Sequence, residues 1–181
     1  MRQWVVIACV AALPGVALAE GDRALSADVG WATFSAPGPK MGSKTPAEVA
    51  PDAGVSIGAT YEHSIGSDFS LRGDLACAAF TGGQTAKQTA DSFAAIADVG
   101  VTFRFDILRD VPYAFGGVGA MVTGGGPIDR DPQLVLVVGG GLDILASRSR
   151  SFGIEAKLAS FGGDVTVFTL GVRGSIRWGY F

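Results

Sequence analysis

Few residues in this chain are of types that do chemistry. His63 is the only histidine, and the two cysteines are Cys9 and Cys77, so no Cys and His set exists to hold a zinc ion. A hydrolase serine needs an activating histidine. His63 is predicted at a strand end beside a short turn, opposite the long connections, where it reads as an interfacial polar residue. No helical segment follows the glycine clusters at 124–126 and 139–141 to make a phosphate cradle, so they read as relief of crowding in strands and turns. Asp129 and Asp131 flank Arg130; two carboxylates supply too few oxygens for calcium, and a solvated loop is expected. No enzymatic activity, metal or cofactor is expected from this set.

Ionisable residues are scarce in general: 17% of the 181 residues are charged against 48% hydrophobic, with 27 glycines. That balance excludes a disordered chain, which would be poor in apolar residues. It also excludes a helical membrane bundle, since no apolar run beyond the N-terminus approaches the roughly 18 residues of a spanning helix. With no basic cluster and a formal charge of −3, no nucleic-acid partner is expected. Residues 1–19 carry Arg2, an apolar stretch from Trp4 to Ala12, a break at Pro14-Gly15 and Ala17-Leu18-Ala19 before Glu20, the layout of a cleaved secretory signal peptide. Val6-Ile7-Ala8-Cys9 looks like a lipid-attachment box but leaves too short a signal. Cleavage leaves Cys77 without an intramolecular partner; among Leu75, Ala76, Ala78 and Ala79 it is expected to be buried as a small apolar residue.

Residues 20–181 form one domain whose charges are placed by a period of two, the signature of strands with two different faces. Val55, Ile57, Ala59 and Tyr61 alternate with Ser56, Gly58, Thr60 and Glu62, and Phe93, Val99, Val101, Phe103 and Phe105 alternate with Asp98, Gly100, Thr102, Arg104 and Asp106. The pattern predicts eight strands, at 25–35, 53–63, 69–80, 93–106, 113–122, 133–145, 152–161 and 166–181, near the roughly 9–11 residues that cross a bilayer at a tilt. The 113–122 segment is glycine-rich and alternates least. Connections at 36–52, 81–92 and 123–132 are long, and those at 64–68, 107–112 and 146–151 are short. That is the layout of an outer-membrane barrel, with turns inside and loops outside. The last connection, 162–164, is short where a long one is expected.

An up-and-down barrel can also be a soluble carrier, and the apolar face decides between them. Here the bulky apolar face carries no charge within the strands, so it faces lipid. The charges face the lumen: Asp28, Glu62, Arg72, Asp74, Asp98, Arg104, Asp106, Asp143, Glu155, Lys157, Arg173 and Arg177, mostly in the turn-side half and the middle. The loop-side half is lined by Phe34, Ala78, Phe80, Ile96, Val122, Val135, Val137, Phe161 and Val167. Tyr61, Phe69, Phe93, Phe105, Tyr113, Phe152, Trp178 and Tyr180 are placed in interfacial girdles. Eight strands enclose only enough space for side chains, so the charges are expected to pair into a packed plug. A gated path through the same pairs, or a small apolar ligand above them, is the alternative.

With its signal peptide, strand count, Pro112–Gly119 and Gly139–Asp143 stretches and terminal strand, the mature chain resembles the small eight-stranded outer-membrane barrels of the OmpA/OmpX type. The resemblance implies a bacterial outer-membrane location reached through the periplasm, with outer-membrane lipid, lipopolysaccharide and the assembly machinery as partners. It implies a C-terminal assembly signal at Trp178, Tyr180 and Phe181, although here the aromatic alternation falls on Trp178 and Tyr180, one residue out of phase with Phe181. No globular extension is expected after it. The expected role is structural, surface-contact or adhesion, carried by a monomer through its loops. Loop one (36–52), with Lys40, Lys44 and three prolines, is the candidate surface for a host or surface ligand; a low-conductance pore is the runner-up.

Overall fold

The computed structural model describes residues 22–37, 48–85, 88–89, 91–105, 109–160 and 165–179. The predicted signal peptide, residues 38–47 of loop one, Asp106, Phe161, Tyr180 and Phe181 lie outside the described residues. Eight long strands follow one another: β1 (Arg23–Pro37), β2 (Ala53–Ser64), β3 (Phe69–Thr81), β4 (Ser92–Arg104), β5 (Asp110–Gly124), β6 (Arg130–Ser147), β7 (Arg150–Ser160) and β8 (Thr166–Trp178). Each pairs antiparallel with the next, and β8 pairs with β1, Asp28 standing opposite Arg173. The expected all-β, eight-stranded antiparallel up-and-down barrel is therefore the fold. Closure satisfies every strand edge internally, which a sheet facing lipid requires.

Tight turns join β2 to β3 and β6 to β7. In the first, the Ile65 amide donates to the Phe69 carbonyl at 2.9 Å, and at the same end of the barrel the Phe105 amide, just after β4, donates to the Pro112 carbonyl of β5 at 2.8 Å. At the opposite, loop side, β5 ends where Gly125 and Gly126 take φ of 78° and 51°, a left-handed geometry that glycine adopts without a Cβ clash. A short 3-10 turn, Gly126–Ile128, follows.

Alternation along the strands sorts the two faces. In β3, Phe69, Leu71, Leu75 and Cys77 point out, while Ser70, Arg72, Asp74, Ala76, Ala78 and Phe80 point in. The outward set stays uncovered: Val99 is 62% exposed, Ile57 61% and Val172 60%. Such a continuous apolar wall is far beyond what a water-facing surface carries. No helix of the described residues is long and apolar enough to cross a membrane; the strands form the apolar belt. Cys77 belongs to that belt and is exposed, correcting the expectation that protein buries it. Two residues from Leu75, it shares the outward face of that side chain.

One strand has the opposite face assignment from that expected. In β5, Val111, Tyr113, Phe115 and Met121 point into the barrel, and Val122 does not. Tyr113 is thus a lumen residue, not an interfacial aromatic, and Met121 takes the inner place expected of Val122. The cause lies in β6, where Tyr113 stands opposite Gly141 and Phe115 opposite Gly139. The two inner-face glycines leave the volume that the rings occupy; a Cβ on Gly141 would collide with the Tyr113 hydroxyl, and one on Gly139 with the Phe115 ring.

Candidate functional site

The strand registers bring the inward charges of β1 to β8 onto the barrel axis. Arg72 of β3 reaches across the lumen to Glu155 of β7 and donates to both carboxylate oxygens, at 2.7 and 3.1 Å, and to Asp74 at 3.0 Å. Arg173 of β8 donates to the same Glu155 at 2.8 Å, to the Tyr113 hydroxyl at 2.9 Å, to Ser26 at 2.8 Å and to Glu62 at 3.3 Å. Arg104 pairs with Glu62 and donates to Ser70 at 3.1 Å, while Lys157 pairs with Asp74. Arg104, Glu62, Arg173, Glu155, Arg72, Asp74 and Lys157 therefore alternate in sign along one connected chain. Beside it, Arg177 pairs with Asp143 at 3.2 Å. Charges withdrawn from water need such compensation, and two-pronged arginine–carboxylate contacts provide it best.

Hydroxyls extend the network. Thr60 donates to Asp74 at 2.6 Å, Thr102 to Glu62 at 3.2 Å, and Tyr113 to Glu155 at 2.9 Å. Two charges stand apart from the direct pairs. Asp98 is opposite Asp74 in the β3–β4 register, and its Oδ2 is buried with no hydrogen-bond partner. Asp28 brings a carboxylate oxygen within 4.8 Å of oxygens of Asp74 and Glu155, the single grouping among the described residues spaced to hold a metal ion. Arg72, Arg173 and Lys157 already occupy Asp74 and Glu155, so side chains supply the cations there.

Above this network the lumen is apolar. Phe34 and Phe80 meet edge to face with ring centres 5.0 Å apart. Ile96, Met121, Val135, Val137 and Val167 pack in the same buried cluster, which Ile128 and Val165, both 0% exposed, also join from the loop side. The boundary between the two regions is aromatic. The Arg72 guanidinium lies 3.7 Å from the centre of the Phe115 ring and that of Arg173 5.0 Å from the Tyr113 ring, so each cation puts one face on an aromatic surface and its edges on carboxylates. At the turn side a cavity of about 30 Å³ opens among Asp22, Arg23, Ala24, Glu62, Ser64, Arg104 and Arg177, room for little more than a water molecule.

Of the lumen charges expected from sequence, all the described ones point inward. The described apolar upper-lumen residues do too, apart from Val122. Tyr61, Phe69, Phe93, Phe105, Phe152 and Trp178 are exposed on the outer face. Sequence reasoning missed Tyr113 and Phe115 as members of the network. The signal that points to them is the pair Gly139 and Gly141, two side-chain-free positions on one face that need bulky partners across the ladder.

No family model matches the sequence, and no curated protein sequence does. Solved structures do match its fold. Ail, the attachment invasion locus protein of Yersinia pestis, superposes with a TM-score of 0.60 at 15% identity, over 87% of this chain and 99% of that one. Neisserial surface protein A (NspA) superposes with a TM-score of 0.61 at 13% identity, over 86% and 97%. The outer membrane protein Ail in a phospholipid bilayer nanodisc matches with a TM-score of 0.51 at 14% identity, over 87% and 99%. The fold is that of the eight-stranded outer-membrane β-barrels.

Proposed function

We propose that this protein is an integral barrel of the bacterial outer membrane, exported through the periplasm after removal of residues 1–19, with a structural and surface-contact role carried by its loops. One observation carries the reading: inside an apolar-walled barrel the lumen is filled, by paired charges below and by side chains such as Phe80, Val135 and Val137, each at most 1% exposed, above. A filled lumen leaves the loops as the part able to meet other molecules, and it weighs against passage of ions or an apolar solute. Both Ail, by its name an attachment protein, and NspA, a surface protein, share the fold. The only histidine, His63, lies at the turn-side end of β2, away from the loops, which favours a non-enzymatic role.

Two measurements test this. Reconstituted protein in planar bilayers is expected to be silent, and steady single-channel conductance overturns the closed-lumen reading. Deleting residues 38–48 is expected to lower attachment of expressing cells to host cells or matrix with the barrel still folded; unchanged attachment removes the adhesion role.

A further inference from the structure

The outer face is free of charge between its ends, yet two arginines stand on it at the turn-side end, beside the last strand. Arg23 of β1 is opposite Trp178 of β8, and Arg150 of β7 is opposite Ile176, also of β8. Both arginines are exposed and follow the outward parity of their strands, and neither makes an ion pair among the described residues. Their strands are separated only by β8 and their partners on it are two residues apart, so two strand spacings across and two residues along put their backbones roughly 12 Å apart. Two arginine side chains can converge over that distance. Toward the middle of the barrel from Arg23 lie Leu25 (51% exposed) and Ile176 (58%), and from Arg150 lies Phe152 (53%), while Trp178 stands level with Arg23 at the turn-side end of β8. Among the described residues, the nearest outward carboxylate on the β7 side is Asp110, two strands away on β5.

This is an amphipathic arrangement of one chemistry: two guanidinium groups without an ion-pair partner among the described residues, a tryptophan at the level where indoles prefer the membrane interface, and apolar side chains beyond it. We propose that Arg23 and Arg150 form a site for the phosphate of an anionic phospholipid in the turn-side leaflet. Trp178 lies beside the headgroup, and Ile176, Leu25 and Phe152 lie against the acyl chains. The guanidinium fork matches phosphate oxygens in pairs. Two cations on one phosphate disfavour a headgroup that carries its own ammonium, so a phosphatidylglycerol is preferred to a phosphatidylethanolamine. The proposal rests on the membrane reading above and deepens it.

The test is native mass spectrometry of the folded protein released from nanodiscs of equimolar phosphatidylglycerol and phosphatidylethanolamine, with heat-modifiable gel mobility as the check on folding. The wild type is expected to retain one phosphatidylglycerol in preference. Arg23→Gln and Arg150→Gln are each expected to lower that retention about fivefold, as the contribution of one basic residue near an anionic surface implies, and Arg109→Gln, in the β4–β5 turn, is expected to leave it unchanged. Equal loss in Arg109→Gln, or no preference in the wild type, overturns the site. Flotation with liposomes separates the two readings. A chain that does not float defeats the membrane reading together with the site, whereas one that floats without retaining phosphatidylglycerol defeats the site alone.

Discussion

The two halves of the lumen solve the same packing problem with opposite chemistry. Above Phe115 the space is filled by Phe34, Phe80, Met121, Val135, Val137 and Val167; below it, charged side chains of both signs interlock through hydroxyls. The apolar half is a small protein core, and its worth grows with each buried methylene. The ionic half gains little from any single pair, because desolvation offsets most of the Coulomb attraction. Its members are conditional on one another: a missing carboxylate strands two arginines, while a missing valine leaves only a gap. Removing one side chain should therefore destabilise each half by a different mechanism.

The largest effect is expected at Glu155, which serves both Arg72 and Arg173. Glu155→Ala should lower stability by about 3–5 kcal/mol, read as a lower urea midpoint for loss of the folded gel band in lipid. Replacing Arg72, Glu155 and Arg173 together by apolar residues of similar volume should recover most of that loss; if it does not, the ionic half is needed for more than mutual neutralisation. Phe80→Ala, in the apolar half, should cost about 3 kcal/mol through the cavity it leaves, with bilayers still silent because Phe34, Ile128 and Val165 remain. Channel activity in that variant would mean that the apolar half is the seal. Arg104→Gln, at the turn-side mouth where the side chain is 18% exposed, should cost only about 1 kcal/mol, since water and Arg173 can compensate Glu62. Asp98→Asn should be neutral or stabilise by up to about 1 kcal/mol, because it removes a like charge opposite Asp74. A clear loss there would point to a counter-charge that Asp98 holds.

Much of the barrel is legible in the sequence because side-chain direction in a strand is a local property. Phe69, Leu71, Leu75 and Cys77 against Ser70, Arg72 and Asp74 reveal their faces within one segment, with no knowledge of the neighbours. Where local contrast fails, the reading fails with it: Gly116, Gly117 and Gly119 have no side chain to mark a face, so Tyr113 and Val122 fall on the wrong sides. Cys77 shows a different limit, since a small apolar neighbourhood is buried equally well by protein or by lipid, and only the parity shared with Leu75 decides.

By itself, then, the sequence determined the eight alternating segments, an outer face free of charge between its ends and the division of the lumen into ionic and apolar halves. All of these follow from a period of two repeated along the chain. The tertiary structure alone decided the partners. Arg72 meets Glu155 and Lys157 meets Asp74 across 83 positions of sequence, because closure of β8 on β1 and the register of each pair set which inward side chains share a level. It also decided the face of β5, where the space above Gly139 and Gly141 has to be filled and Tyr113 and Phe115 fill it.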